Sequence, residues 1–188
     1  MVQLSCSAQF KSMTATVILP TASSIVSNLR SIIKDYNYWG TSESDSPLFI
    51  RRTKSLTDAQ ILTADAAMRR KAGGSSYQVP LNRAIVCKTL LQTFLPLVND
   101  ASEVVSTLAV PLRDNEMGMT FASIQIGMLR MPTESLEFYV QLYSTFEQLT
   151  ETKVCYVDAL NDAFVGLFII GKAADNELVV AQTLLVQT

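Results

Sequence analysis

The sequence predicts an α+β fold, in which an antiparallel sheet is packed with amphipathic helices and closes in a C-terminal β-hairpin. Three patterns carry that prediction. Val2 to Phe10 alternates strictly, with Val2, Leu4, Cys6, Ala8 and Phe10 on one face and Gln3, Ser5, Ser7 and Gln9 on the other, as a half-buried strand does. From Thr133 onward Leu136, Tyr139, Val140, Tyr143 and Phe146 recur at the spacing of a helix face. Apolar runs from Phe164 to Ile170 and from Leu178 to Val186 flank turn residues Gly171, Asp175 and Asn176. Strands and helices mix without a βαβ rhythm, and no repeat at a solenoid period is present. A chain of 188 residues, 48% hydrophobic and 17% charged, is long enough for one core, so a single domain over 1–188 is expected.

The remaining elements follow along the chain. After Lys11 and Ser12 a second alternating stretch, Met13 to Leu19, stops at Pro20. Thr21 or Ser23 then caps a helix whose apolar stripe is Ile25, Leu29, Ile32, Ile33 and Tyr36. Gly40 to Pro47 is small and polar and predicts a mobile surface loop over 40–47. Leu48, Phe49 and Ile50 form an apolar wedge directly before Arg51, Arg52 and Lys54. A second helix is expected after Thr57 or Ser55, with Ile61, Leu62 and Met68 as its stripe and Gly73-Gly74 as its stop. Over 77–112 two types compete: Tyr77, Val79 and Leu81 read as strand, Ile85 to Leu97 as a buried helix broken at Pro96. Met117 to Met128 alternates and predicts a strand, and Asp158 is a candidate cap for a short helix ahead of the hairpin.

The chemistry is defined as much by what is missing. With no histidine, Ser-His and Cys-His nucleophile pairs are excluded, together with the commonest zinc and iron ligand. Asp158 with Asp162, and Glu134 with Glu137, have the spacing to share a helix face and hold magnesium, but acids in a first helical turn are explained by the helix dipole. Gly73-Gly74-Ser75-Ser76 lacks the Lys-Ser/Thr ending of a phosphate-binding loop and reads as a helix stop. No cofactor, metal or enzymatic activity is expected. Cys6, Cys87 and Cys155 are odd in number and match no ligand pattern, and Met1-Val2-Gln3 does not open a signal peptide. Buried thiols in a reducing, cytosolic-type compartment are the expectation. The apolar run Ala163 to Ile170 is far short of the roughly 20 residues of a spanning helix, so any membrane contact is expected to be peripheral.

Charge is the strongest functional signal. The stretch from Arg51 to Lys88 holds eight of the fifteen basic residues against Asp58 and Asp65, a net of +6, while residues 89–188 carry −8 and residues 1–50 balance. Such polarity suits a bridging or assembling protein. Arg51, Arg52, Lys54, Arg69, Arg70, Lys71, Arg83 and Lys88 are the candidate anion-binding residues, with Leu48, Phe49 and Ile50 as an insertable patch beside them. Each base near an anionic membrane contributes on the order of 1 kcal/mol, enough in sum for reversible docking. Only Tyr77 lies close by for base stacking, which favours phosphate or lipid contact over base readout. Tyr38, Trp39, Gly40 and Pro47, an aromatic group beside a polar loop, are candidates for self-association.

The order of elements resembles the globular part of rhabdovirus matrix proteins, particularly the shorter cytorhabdovirus type. The likeness rests on Met13 to Leu19, Ser23 to Tyr38, Gly40 and Pro47 to Arg52 in the first half, and on Met119 to Met128, Thr133 to Leu149 and the terminal hairpin in the second. It implies a protein of the inner envelope face and host cytoplasm that self-associates, bridges viral nucleocapsid to anionic membrane and drives assembly and budding. That family's lysine-rich N-terminal tail has no counterpart here. Pro20-Thr21-Ala22-Ser23 only approaches a Pro-Thr-Ala-Pro budding motif, so membrane binding would rest on 51–88. The alternative readings are a small coat or nucleocapsid subunit neutralising RNA phosphates with the same bases, and a magnesium-dependent enzyme using the carboxylate pairs.

Overall fold

A computed structural model describes residues 19–34, 36–113 and 119–187. The strand expected over Val2 to Phe10, and all of the next one except Leu19, lie outside them. The described residues form four helices and five strands: α1 (Ala22–Ile33), β1 (Phe49–Thr53), α2 (Asp58–Gly73), β2 (Arg83–Lys88), α3 (Leu90–Arg113), α4 (Met119–Glu147), β3 (Thr150–Ala159), β4 (Phe164–Lys172) and β5 (Leu178–Val186). The strands make one antiparallel sheet in the order β1-β5-β4-β3-β2. The α+β class and the closing β4–β5 hairpin are as the sequence predicts.

Local chemistry explains where the helices begin and end. Thr21 caps α1, accepting from the Ser24 N–H, and Ala22, Ile25, Val26 and Leu29 fall on its buried face at helical spacing. The Ala22 N–H donates to the Asp175 carboxylate at 3.1 Å, which ties the start of α1 to the β4–β5 turn. At α2, Thr57 and Gln60 exchange hydrogen bonds in a capping box, and Gly74, at φ 76°, ends the helix with its N–H on the Arg70 carbonyl. Thr89 and Gln92 repeat the same reciprocal pair ahead of α3. This helix spans Pro96 without breaking, and the preceding apolar stretch divides into β2 and the start of α3.

The two faces of the sheet carry separate cores. On one, α1, α3 and α4 bury Leu29, Phe94, Leu142 and Phe146 against Val154, Leu167, Ile169 and Val179. On the other, α2 sets Ile61 against Cys155, Val157, Phe168, Ile170 and Val180. β4 lies at the centre and is buried from Val165 to Gly171, which accounts for its unbroken apolar sequence. α2 approaches closely at Gly166, where an added Cβ would overlap Asp65 Oδ1, so only glycine lets that carboxylate rest on the sheet.

Four expectations are corrected. Of the strand expected over Met117 to Met128, the first two residues lie outside the described ones and Met119 to Met128 is the first part of α4; Phe121, Ile124, Met128 and Met131 also satisfy helical spacing, and α4 packs along α3 with Pro132 inside it. No short helix follows Asp158, because β3 extends through Ala159 to a turn. The 40–47 segment is anchored: Ser42 and Ser46 are buried and bonded to each other, the Val186 N–H donates to Ser42 Oγ at 3.1 Å, and the Glu43 N–H donates to the Val186 carbonyl at 2.9 Å. Its small polar side chains satisfy backbone groups at the sheet's end. Finally, Cys87 and Cys155, directly opposed on β2 and β3, form a disulfide where buried thiols were expected. Such a bridge persists in oxidising surroundings, so cysteine usage no longer supports a reducing compartment.

The bridge closes a sequence separation of 68 residues. Replacing Cys87 by Ser is expected to cost about 2–4 kcal/mol, measured as a lower denaturant midpoint in non-reducing buffer. Reductant should bring the parent chain down to the variant's value, whereas a midpoint indifferent to reductant would contradict the bridge.

Candidate docking surface

The basic tract is divided by the fold into charges that are used internally and charges left at the surface. Arg69 is fully buried. Its Nε donates to both oxygens of Asp65 at 3.0 and 2.8 Å, Nη1 to Asp162 and Nη2 to the Val157 carbonyl at 2.7 Å. Arg83 Nη1 reaches the same Asp65 at 2.7 Å and the Leu62 carbonyl at 2.8 Å, while its Nε donates to Pro80 O at 3.0 Å. The Tyr77 hydroxyl and the Phe164 N–H also donate to Asp162. Two carboxylates and two guanidiniums thus neutralise one another between α2, β2 and the β3–β4 turn. Buried charges persist on such terms, paired and fully hydrogen-bonded.

Burial raises the pKa of the Asp162 carboxyl, but the hydrogen bonds from Tyr77 and Phe164 and the charge of Arg69 outweigh it and hold the group below the ordinary carboxylate range. For Arg69, burial alone would favour the neutral form, and the hydrogen bond and charge of Asp65 reverse it.

Arg69 and Arg83 are therefore withdrawn from the expected anion-binding set. Alternation along β1 divides the next pair. Arg51 pairs with Val180 and Arg52 with Val179, so Arg51 lies on the α2 side of the sheet and Arg52 on the α1 side. Arg51 Nε donates to Gln182 Oε1 at 2.9 Å; Arg52 sits 3.5 Å from Glu177. Lys88 is on β2, at the opposite edge of the sheet from β1, with its ammonium 5.5 Å from the Tyr156 ring centre. The apolar wedge also comes apart. Leu48 is buried, Ile50 turns into the core, and Phe49 alone stands out, 53% exposed.

One pair remains together. The Lys71 ammonium at the end of α2 lies 5.6 Å from the centre of the Phe49 ring, across 22 positions of sequence. Arg51 shares that side of β1, Arg70 adjoins Lys71 on exposed helix, and Lys54 is exposed just past the strand. Beneath Phe49 and Lys71 a groove of about 270 Å³ is lined by Pro47, Met68, Ala72 and Leu184, with Asp45 as its acid. Cations standing over an apolar floor can hold oxyanions while the ring enters a hydrophobic layer.

The expected self-association group is redistributed as well. Trp39 is buried, its ring edge-on to Phe94 and Tyr139 at 5.9 and 5.5 Å between centroids, and the Gly40 N–H donates to the Tyr139 hydroxyl at 2.7 Å. Tyr38 and Pro47 remain exposed. The acid pairs do not form a cation site: Asp162 belongs to the internal network, Glu134 pairs with Arg130 at 2.7 Å, and no cluster of metal-ligating side chains occurs among the described residues. Sequence reasoning missed the network itself, although the Asp65–Arg69 spacing of four was a visible signal. No family model matches this chain, and no curated protein matches it.

For Asp162, a folded-state pKa below the unfolded one adds stability that is full above the unfolded value near pH 4 and disappears as pH falls through the folded value. Asp162→Asn is expected to cost roughly 3 kcal/mol at neutral pH. Denaturant midpoints of parent and variant should draw together as pH drops below about 4, and a gap independent of pH would contradict the assignment.

Proposed function

We propose that this chain is a non-enzymatic structural protein of the viral matrix type, which docks peripherally on an anionic membrane surface and self-associates there. Bridging to a nucleocapsid, with residence at the inner envelope face and in the host cytoplasm, belongs to the same reading, which requires the Cys87–Cys155 bridge to close outside the reducing cytosol, after release of the particle. The observation that carries it is Lys71 held over the exposed ring of Phe49, with Arg51 on the same side of β1 and Arg70 next to Lys71 in the last turn of α2. An aromatic side chain that enters a bilayer interface beside several bases gives reversible binding, neither part being sufficient alone. Among the described residues no helix is long and apolar enough to cross a membrane.

Self-association has its own support. β1 and β2 each pair on one side only, and Leu91 and Leu95 are exposed on α3. Pairing like edges would juxtapose bases from Arg51, Arg52 and Lys88, which disfavours edge-to-edge contact and leaves the apolar side of α3 as the better surface.

Sedimentation with vesicles tests the docking patch. The parent chain is expected to pellet with phosphatidylserine-containing vesicles at low salt, to stay in solution with phosphatidylcholine alone, and to be released as salt rises. Lys71→Glu removes one attraction and adds one repulsion, on the order of 2 kcal/mol or about thirtyfold in affinity; Phe49→Ser should weaken binding at every salt concentration. Equal pelleting of all three proteins would refute the proposal.

A further inference from the structure

A second concavity lies on the other side of β1. Ser23, Ser27 and Arg30 occupy positions i, i+4 and i+7 of α1 and so share one helix face; with Arg52 of β1 and Val26 they line a cavity of about 290 Å³. The polar side chains here are not engaged with one another. The side chains of Ser23, Ser27 and Arg30 make no hydrogen bond or ion pair with protein groups among the described residues. Among the described residues Arg52 faces Glu177, whose Oε2 lies 3.5 Å from Nη1, too far for a hydrogen bond; that carboxylate oxygen is buried without a hydrogen-bond partner. Each internal arginine, by contrast, has at least three donor contacts. Two guanidiniums and two hydroxyls from different elements line a common space, with no protein group among the described residues hydrogen-bonded to them.

We propose that this cavity binds a phosphoryl group. Guanidinium forks suit the paired oxygens of a phosphate, and serine hydroxyls supply the shorter neutral contacts that complete a tetrahedral anion. A carboxylate, with two oxygens, offers these four side chains fewer acceptors than a phosphate does. The anion separates two like charges that otherwise share the cavity, and it replaces Glu177 as the partner of Arg52. Glu177 is then a competitor, which sets the affinity below that of a site with two free arginines. The site is independent of the docking patch, because Arg52 and Phe49 project to opposite sides of the sheet.

Isothermal titration with inorganic phosphate and, in parallel, glycerol 3-phosphate tests the site, with amide NMR shifts to locate it. Saturable binding is expected, with shifts at Ser23, Ser27 and Arg30. Arg30→Gln, on the exposed side of α1, should weaken it about tenfold without changing the melting temperature. Glu177→Gln should strengthen it at least threefold, an effect that a merely structural acid would not produce. Arg70→Ala in the docking patch should leave it unchanged. Tighter binding of glycerol 3-phosphate identifies a lipid headgroup as the source, and equal binding a free phosphate. Absence of saturable binding, or binding that Arg30→Gln leaves intact, overturns the proposal.

Discussion

Two aspartates and two arginines that cancel one another beneath α2 determine how the rest of this molecule presents itself. Asp65 can lie on the sheet only because Gly166 has no side chain, and Arg69 can be buried only because Asp65, Asp162 and the Val157 carbonyl accept its hydrogen bonds. A buried pair gives little net stability relative to an apolar substitute, yet removing one partner strands the other charge. The network thus acts as a positional lock. It fixes how α2 lies across the sheet, and with it the distance from Lys71 to the ring of Phe49.

The same lock decides which of the basic residues are available outside. In sequence they form one cationic tract; in space they separate by two simple periodicities. The alternation of a strand sends Arg51 and Arg52 to opposite sides of β1, and the turn of a helix sends Arg69 inward while Arg70 and Lys71 face solvent. Sheet order does the rest, placing Lys88 and Arg83 at the edge farthest from β1. The outcome is a small patch toward α2, a separate pair of arginines toward α1, and a neutral interior.

Elements governed by local chemistry were legible in the sequence. Thr21, Thr57 and Gly74 mark helix ends through backbone hydrogen bonds that need no tertiary partner, and the β4–β5 hairpin is written in its apolar runs and turn residues. Those that depend on distant partners were not. The Met119 to Met128 pattern fits both periods, and the α3 neighbour selects the helix. β3 is rich in Thr, Val and Tyr, but Asp158 near its end drew it toward a cap. The polar 40–47 segment gives no hint of the β5 end that Ser42 binds. At the candidate site, the residue types were visible and their grouping was not, since the Phe49–Lys71 and Arg30–Arg52 juxtapositions arise only when α1 and α2 settle on the sheet.

The central claim, that folding divides one basic tract into internal and external charges, is tested most directly by arginine footprinting. The native chain would be treated with an arginine-selective dicarbonyl and the rate of modification followed residue by residue by mass spectrometry. Arg30, Arg52 and Arg70 should react at rates typical of exposed guanidiniums, while Arg69 and Arg83 stay intact until denaturant unfolds the sheet. Modification of Arg69 in the native chain as fast as that of Arg70 would contradict the account.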